Sequence, residues 1–220
     1  MQLQGADQRD SGRGNRGPEL LSVARRLFLE CGYHGTTVER VARRAGYSKR
    51  TVYLYFKNKD ELFLAVGEEG LVELRRRLEE IPVERLPVTE GIQAVLDVYL
   101  GFAREHPAYF RIIFQEATSE MIANVPEEFR RRLEEHERAC LGVVVRVAEK
   151  ALEERLVEGM EPLEIAAAFW GAVTGVILLS LGGSQTVFTR QTREALAART
   201  VWHLFEGMRA RRDTVAGETA

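Results

Sequence analysis

Apolar residues recur at helical spacing along almost the whole of this 220-residue chain. The run from Leu20 to Cys31 is one example, because its aliphatic and aromatic side chains fall three or four positions apart before Gly32. That spacing places one face of a helix against a core. No segment alternates apolar and polar residues between hairpin turns, as a half-buried strand does. The sequence therefore predicts an all-α protein.

Capping and turn residues predict where the first helices begin. Pro18 suits the first turn of the first helix. Thr36 and Glu39 have the spacing of a capping box at the start of the second. Ser48 and Asn58 are suited to cap the third and the fourth. Two prolines mark 81–88 as a linker. Beyond it, five further helices are expected at 89–105, 107–117, 126–158, 162–182 and 189–211.

The formal net charge of −2 is divided unevenly along the chain. Residues 1–67 carry 12 Lys and Arg against 7 Asp and Glu, whereas residues 68–220 carry 19 against 26. A basic head attracts polyanions whatever the total charge, because attraction to phosphate depends on local charge. The expected domains are a disordered basic arm at 1–17, a small helical domain at 18–67, a larger helical domain at 68–212 and a flexible tail at 213–220.

The stretch 36–62, TTVERVARRAGYSKRTVYLYFKNKDEL, has the layout of a helix-turn-helix. Small and aliphatic groups let its first helix pack on Val52 and Phe56 of the second, with a tight turn at Gly46. The second helix can then enter a major groove. At about 100° per residue, Arg50 and Leu54 point away from Val52. The residues on or beside this reading face are Ser48, Lys49, Arg50, Thr51, Tyr53, Leu54 and Tyr55.

This ordered string resembles the DNA-binding domain of the tetracycline-repressor (TetR) family of bacterial transcription regulators over residues 18–67. The specific elements are the Thr-Thr-Val opening, the Ala-Gly-x-Ser turn, Thr-Val-Tyr-x-Tyr-Phe and Lys-Asn-Lys-Asp-Glu-Leu. The resemblance implies that Thr37, Tyr53 and Lys59 bind backbone phosphate. The bases are then read by Lys49, Arg50, Thr51 and Leu54. Tyr55 is either a DNA contact or a core residue.

Arg50 is the first candidate for base recognition, since a guanidinium can bind guanine through two hydrogen bonds. Leu54 can contact a thymine methyl group in the same groove. The arginines at positions 9, 13 and 16 are open to two interpretations. They form either a minor-groove arm or a solvated leader, because Asp7 and Asp10 lie among them.

A single helix-turn-helix covers only a few base pairs, so the sequence predicts a homodimer on a palindromic site. The uncharged stretch AAAFWGAVTGVILLSL and the final helix are suited to a four-helix bundle between two subunits. The alternatives are that one chain fills this surface itself, or that the stretch spans a bilayer, which Glu161, Glu164 and the internal glycines disfavour. The predicted interface residues are Trp170, Gly171, Thr174, Gly175, Leu178, Val201, Trp202 and Phe205.

Large apolar and aromatic residues are concentrated between the head and the interface. The family resemblance implies an effector cavity among these middle helices, and such a surface favours a small lipophilic ligand. The candidate lining residues are Tyr99, Phe102, Tyr109, Phe110, Phe114 and Trp170. A ligand that separates the two reading helices would release the DNA by a population shift. The alternative is a ligand that promotes DNA binding.

Motifs of catalysis and of metal or cofactor binding are absent from the sequence. Its four histidines are scattered, and it contains no HExxH, P-loop or Gly-x-Ser-x-Gly motif. Cys31 and Cys140 are too far apart for a CxxC pair. The first 17 residues hold no apolar run, so a cytoplasmic location is expected. We therefore expect a ligand-released repressor without enzymatic activity. The alternative is a helical oligomeric scaffold or ligand-binding protein that does not bind DNA.

Overall fold

A computed structural model of the chain describes residues 16–181 and 190–209. Over these residues the chain is helical and contains no β-strand, which confirms the all-α prediction. The expected arm lies outside the described residues except for its last two positions, which begin the first helix. The tail at 213–220 also lies outside them. The α-helices are α1 Arg16–Cys31, α2 Val38–Arg44, α3 Lys49–Tyr53, α4 Lys59–Glu79, α5 Val88–Glu105, α6 Pro107–Arg111, α7 Ser119–Ala123, α8 Glu127–Glu153, α9 Pro162–Leu181 and α10 Arg190–Gly207.

The described residues form two compact units. The first consists of residues 16–73 and 106–136, and the second of residues 74–105, 137–181 and 190–209. The chain thus has an amino-terminal helix-turn-helix domain followed by a larger helical region, as predicted. The segment 106–136 packs with the amino-terminal helices, although the expected division at residue 67 assigns it to the larger domain.

α2 begins after Thr37, one residue later than the sequence pattern predicts. The Thr37 side chain accepts a hydrogen bond of 3.2 Å from the backbone N–H of Arg40. Thr36 is fully buried, and its hydroxyl donates to the carbonyl oxygen of Leu27 at 3.1 Å. The predicted capping box of Thr36 and Glu39 is therefore wrong, because Thr36 ties the turn to α1 instead of capping α2.

The caps predicted for α3 and α4 are present. The Ser48 side chain accepts a hydrogen bond of 3.1 Å from the backbone N–H of Thr51. The Asn58 side chain accepts one of 2.8 Å from the backbone N–H of Glu61. The Glu61 carboxylate in turn accepts from the backbone N–H of Lys57 at 2.6 Å. These bonds fix the start of both helices, since they satisfy N–H groups that lack a partner inside the helix.

Several helices differ from their predictions: the helix expected at 126–158 ends at Glu153, and the short helix α7 is not among those expected. α3 is shorter than the predicted segment 48–56, because its last turn tightens: the N–H groups of Leu54 and Tyr55 donate to the carbonyl oxygens three residues back, those of Thr51 and Val52, at 3.2 and 3.0 Å. The chain therefore leaves the helix before Phe56. The single helix expected at 107–117 is instead α6 followed by a π-helical turn at Ile112–Glu116.

The core of the first unit is built by α1, the two helices of the motif and α4. Its buried residues are Leu20, Val23, Ala24, Leu27, Phe28, Val38, Val41, Ala42, Val52, Leu62, Phe63, Val66 and Ile112. A second buried cluster joins α4 to α8, and it consists of Leu64, Ala65, Leu71, Val125, Phe129 and Leu133. The predicted apolar faces of α1 and α2 are those that are buried.

Two glycines of α4 allow a very close approach of α6 and the π-helical turn. A Cβ atom at Gly67 would lie 2.9 Å from a methyl group of Ile112, and one at Gly70 would lie 2.9 Å from the Tyr109 side chain. Contacts this short are not tolerated between real side chains. The backbone of α4 and the segment 107–113 are thus in direct contact.

Candidate functional site

The turn between α2 and α3 determines which face of α3 is exposed. Gly46 has φ +74°, a left-handed conformation that residues with a Cβ atom disfavour. The N–H of Tyr47 donates to the carbonyl oxygen of Ala42 at 2.9 Å and closes the turn. Val52 is only 1% exposed and anchors α3 on the core. The face of α3 opposite Val52 is therefore directed towards solvent.

Arg50 and Leu54 lie on this outward face. Leu54 is 74% exposed, and Tyr53 beside it is 45% exposed. The Arg50 side chain is exposed, and its guanidinium makes no hydrogen bond or ion pair with the residues that the structure describes. A bidentate donor on α3 and an apolar group just after it are thus both directed to the same side. These are two of the groups that read base edges in a major groove.

Lys49 is held at the start of α3 by two neighbours. Its ammonium group forms an ion pair with Glu39 of α2 and lies 5.7 Å from the centroid of the Tyr53 ring. The hydrogen bond between them raises the pKa of Lys49 and lowers that of Glu39. Both side chains are exposed, and exposed pairs contribute little to stability. Lys49 is therefore able to exchange Glu39 for another anion.

Lys59 is the first residue of the 21-residue helix α4. Its ammonium nitrogen lies 3.8 Å from the centroid of the Tyr33 ring, a cation–π contact. Burial lowers the pKa of Lys59. Burial, and then a hydrogen bond donated to Asp60, raises the pKa of Tyr33 to about 12. A cation is thus held at a helix N-terminus, where free N–H groups attract phosphate.

The other predicted DNA contacts differ in their exposure. Thr37 is exposed at the start of α2, whereas Thr51 is half-buried with its hydroxyl 2.9 Å from that of Ser48. Tyr55 is half-buried and packs against the core. A Cβ atom at Gly17 would lie 3.2 Å from the Tyr55 ring. The Tyr55 ring is therefore part of the packing within the first unit.

The second unit contains an apolar cavity of about 60 Å³. α5, α8, α9 and α10 all contribute to its wall. Its aliphatic lining includes Leu96, Val147, Ala151, Ile165, Val173 and Val201. Tyr99 also lines it, with its hydroxyl 2.7 Å from the hydroxyl of Thr174. Burial raises the pKa of Tyr99, so this phenol stays neutral.

Two of the six residues predicted for the effector cavity line it. Tyr99 and Trp170 are in the wall, with ring centroids 4.6 Å apart. Phe102 belongs to the same unit but is fully buried and is not part of the wall.

The remaining three predicted cavity residues belong to the first unit. The rings of Phe110 and Phe114 have centroids 4.6 Å apart. The Tyr109 hydroxyl donates to the Glu69 carboxylate at 3.0 Å, and Glu69 also forms an ion pair of 3.4 Å with Arg25. Tyr109 thereby links α6 to α4 and α1.

The predicted interface residues divide into an outward and an inward set. The outward residues, exposed or half-exposed, are Gly171, Gly175, Leu178 and Trp202. Val201 and Phe205 are buried and line the cavity. Trp170 and Thr174 are half-buried next to Tyr99.

An exposed stripe runs along α9 at intervals of four residues. Its members Leu163, Ala167, Gly171 and Leu179 are exposed and Gly175 is half-exposed, and we call these five residues the α9 stripe. Leu163 is 57% exposed and Leu179 is 60% exposed. A Cβ atom at either glycine would meet nothing within 4 Å among the described residues. Sequence reasoning missed both leucines, because α9 is apolar on all sides and its pattern does not reveal which side is outward.

α9 is also long and apolar enough to be compatible with a membrane span. The window Pro162–Leu179 has a mean hydropathy of 1.7, and 28% of it is buried. Core helices of soluble proteins have the same composition. Ile165, Val173 and Ile177 are buried within the second unit, so one side of α9 already packs against protein.

Within residues 16–181 and 190–209, no group of three His, Cys, Asp or Glu side chains is arranged to hold a metal ion. Cys140 is 1% exposed, and burial raises its pKa to about 12. A thiol protonated at neutral pH is a poor metal ligand. His136 instead has its Nε2 atom 3.9 Å from a Glu68 oxygen.

Sequence reasoning also missed most of the cavity wall. Val144, Val147 and Ala151 of α8 line it, but each occupies an ordinary apolar position of an amphipathic helix. Periodicity identifies the inward face of a helix and does not distinguish a cavity wall from a packed core.

Two family models match the chain. Residues 20–66 match bacterial regulatory proteins of the tetR family. Residues 92–204 match the tetracyclin repressor-like C-terminal domain, a segment that covers just over half of the chain.

Similar proteins are transcriptional regulators. The regulator YhgD of Bacillus subtilis is 35% identical over 97 residues, which cover 44% of this chain and 50% of YhgD. The fatty acid metabolism regulator protein of the same species is 31% identical over 83 residues, which cover 38% of this chain and 43% of that protein. The chain thus spans about half the length of the curated relatives it matches.

Solved structures share the fold over nearly the whole chain. FadR of Bacillus subtilis, solved in complex with stearoyl-CoA, has a TM-score of 0.65 at 19% identity and covers 86% of this chain and 98% of its own. FadR of Bacillus halodurans has a TM-score of 0.67 at 18% identity, with coverages of 90% and 99%. With both family models matched and this fold shared, the chain belongs to the TetR family of bacterial helix-turn-helix transcriptional regulators.

Proposed function

We propose that the protein is a repressor that binds a palindromic operator as a homodimer and releases it when a small lipophilic ligand binds. The observation that carries this proposal is the outward face of α3. Arg50 has no partner among the described residues there, and Leu54 is 74% exposed. An exposed leucine costs solubility, and in the part of the chain that the structure describes neither of these side chains has a contact that would stabilise the fold. Both are explained by a major groove that receives them.

Phosphate contacts complete the proposed interface. Thr37 at the start of α2, Tyr53 beside Lys49, and Lys59 at the start of α4 are available for them. Such contacts fix the position of the protein without distinguishing one base from another. We therefore assign base recognition to Lys49, Arg50, Thr51 and Leu54, with Ser48 as the cap of the reading helix.

Dimerisation is assigned to the α9 stripe together with Trp202 of α10. Trp202 is 53% exposed, and the two glycines of the stripe permit close approach of another helix. An apolar face of this kind is typically covered by a partner. A two-fold axis would duplicate α3 and so match a palindrome.

The effector is proposed to be lipophilic because the cavity wall is almost entirely aliphatic and aromatic. FadR of Bacillus subtilis was solved with stearoyl-CoA, and an acyl compound is one candidate here. The cavity of about 60 Å³ holds only a few water-sized groups, so a ligand with a long chain must displace wall residues. That displacement favours a conformation in which the reading helices no longer match successive grooves. The protein acts by binding and not by catalysis, in the cytoplasm where the operator lies.

Binding-site selection with purified protein and random duplexes tests the DNA proposal. We expect a palindrome and an affinity that falls with salt. Arg50→Ala should relax the preference at one base pair of each half-site, at a cost of about 1–3 kcal/mol. Arg44→Ala is the matched control, since Arg44 is an exposed arginine of α2. Selection of no sequence, or an unchanged preference in Arg50→Ala, would contradict the assignment.

Sedimentation of exposed-face variants tests the dimer. Leu179→Glu and Trp202→Glu should yield monomers with an unchanged helical spectrum, since both side chains are exposed in the subunit. Val72→Glu is the control, because Val72 is an apolar residue of α4 that is 46% exposed. A dimer that survives both interface variants would place the contact elsewhere.

Operator release with a panel of ligands tests the effector. The panel contains a fatty acyl-CoA, a free fatty acid and an uncharged aromatic compound, each scored by thermal shift and by loss of operator binding. Val173→Phe fills the cavity and should weaken the response, whereas Val72→Phe should not. A compound that binds but leaves operator affinity unaltered is not the effector.

A further inference from the structure

Two asparagines join the start of α4 to the end of α7. The side-chain amide of Asn58 donates a hydrogen bond of 2.9 Å to the carbonyl oxygen of Asn124. The side-chain amide of Asn124 donates one of 3.2 Å to the carboxylate of Asp60. Asn58 caps α4, and Asn124 ends α7. The two bonds therefore clamp the first turn of α4 from a segment outside the helix-turn-helix.

The same carboxylate continues the network to Lys59. One oxygen of Asp60 accepts from the Asn124 amide, and the other accepts from the Tyr33 hydroxyl. The Tyr33 ring lies beneath the Lys59 ammonium group, 3.8 Å from the nitrogen to the ring centroid. Asn124 thus orients Asp60, Asp60 orients Tyr33, and Tyr33 holds Lys59.

Apolar packing fixes both ends of this network. Val125, next to Asn124, is 5% exposed and packs in the cluster that includes Leu64 and Ala65 of α4. The Tyr33 ring is 5.0 Å from that of Phe63, between ring centroids. Because buried neighbours hold both ends, the polar bonds between them are made in one defined geometry.

We propose that Asn124 is a positioning residue for the contact between Lys59 and DNA phosphate. A lysine side chain has many rotamers, and holding it in place before binding reduces the entropy lost on contact. Without the Asn124 amide, Asp60 is free to turn and the Tyr33 ring loses its fixed support. The inference rests on the proposed phosphate contact of Lys59, and it places part of the DNA-binding machinery outside residues 18–67.

Operator binding as a function of salt separates the possible outcomes. Lys59→Ala should reduce the salt slope by about one and weaken all sequences alike. Asn124→Ala should weaken operator binding roughly three- to tenfold at 0.15 M salt, without changing base preference. When combined with Lys59→Ala, Asn124→Ala should cause no further loss of operator affinity, because its effect on DNA binding depends on Lys59. Ser119→Ala, an exposed polar residue of α7, should bind like the wild type.

A spectroscopic readout tests the positioning without DNA. The chain has four lysines, so protein labelled with ¹³C at lysine Cε gives four signals, and that of Lys59 should be shifted upfield by the Tyr33 ring. Asn124→Ala should reduce this shift while leaving the melting temperature close to that of the wild type. Asn124→Asp should also reduce the upfield shift, because its carboxylate repels that of Asp60. The double variant Asn124→Asp/Asp60→Asn should restore the shift, since the new amide at position 60 can then donate to the new carboxylate at position 124.

The failure of this inference differs from the failure of the proposed function. If Lys59→Ala weakens operator binding but Asn124→Ala changes neither operator affinity nor the upfield shift of the Lys59 signal, Asn124 is not a positioning residue. If Lys59→Ala binds operator like the wild type, the phosphate contact itself is wrong and the role of Asn124 in DNA binding fails with it.

Discussion

The hydroxyl groups of Tyr99 and Thr174 lie 2.7 Å apart beside an otherwise apolar cavity. Thr174 donates its own hydrogen to the carbonyl oxygen of Trp170 at 2.7 Å, so Tyr99 is the donor in the pair. The bond joins α5 to α9. It therefore fixes the orientation of an aromatic wall residue relative to the helix that carries the α9 stripe.

A double-mutant cycle should detect this bond. Thr174→Val and Tyr99→Phe each remove one hydroxyl while keeping the shape of the side chain. We expect a coupling free energy of about 1 kcal/mol between them, measured by urea unfolding. The dependence of the unfolding free energy on urea concentration should be the same in all four proteins. Additive effects of the two substitutions would show that the bond contributes nothing to stability.

Two substitutions in the reading segment, at Val52 of α3 and at Leu54 just after it, should differ sharply in their effect on stability. Val52→Ala removes a side chain that is 1% exposed and should lower the free energy of unfolding by about 2 kcal/mol, from lost burial and the cavity left behind. Leu54→Ala, at a residue 74% exposed, should change it by less than about 0.5 kcal/mol. Equal losses would mean that α3 is rotated about its axis.

The helix-turn-helix could be predicted in detail because its capping residues and its apolar pattern indicate the same helices. Ser48 caps α3, Val52 faces inward, and Arg50 and Leu54 face outward, since a short motif leaves helical geometry few alternatives. The threonines preceding α2 show the limit of this reasoning. Both Thr36 and Thr37 are good caps, and only the buried bond from Thr36 to Leu27 decides between them.

The cavity and the course of the segment 106–136 could not be predicted in the same way. Aromatic residues such as Tyr109 and Phe110 are as typical of a cavity wall as of a packed contact. Tyr109 packs against α4 because Gly70 permits a close approach there. Such packing depends on residues distant in sequence. For a helix that is apolar on all sides, such as α9, the sequence does not indicate which side is buried.

Removing the exposed carboxylate beside Lys49 should strengthen DNA binding. Glu39→Gln deletes a negative charge next to the proposed phosphate path and releases the Lys49 ammonium group. Operator affinity should rise severalfold and the salt slope should become steeper, while the unfolding midpoint stays unchanged. Glu30→Gln on α1, an exposed site, makes the same change in net charge and should have a smaller effect. Equal gains in both variants would point to net charge alone.

Alkaline pH should destabilise the first unit through Tyr33. Its pKa is raised to about 12, above the unfolded value of about 10. The stabilisation is therefore complete below about pH 10 and is lost as the pH rises through the folded pKa. Between pH 10 and 12 the free energy of unfolding of the wild type should fall more steeply than that of Tyr33→Phe. Parallel curves for the two proteins would contradict a raised pKa at Tyr33.

The two cysteines should differ sharply in reactivity. Cys31 is half-exposed at the end of α1, whereas Cys140 is buried with its pKa raised to about 12. Since the thiolate is the reactive form, a disulfide reagent at pH 8 should modify one thiol rapidly in the native protein and two after denaturation. Cys31→Ser should abolish the rapid phase. Two rapid equivalents in the native state would show that Cys140 is accessible.

The glycines at positions 67 and 70 restrict how the first unit can rearrange. With only hydrogen atoms between the α4 backbone and the side chains of Ile112 and Tyr109, a slide of one residue along the axis would drive the neighbouring α4 side chains into those rings and methyl groups. Separation perpendicular to the axis avoids this collision. In any rearrangement that moves α4, α6 and this part of α4 should thus move together as one rigid unit.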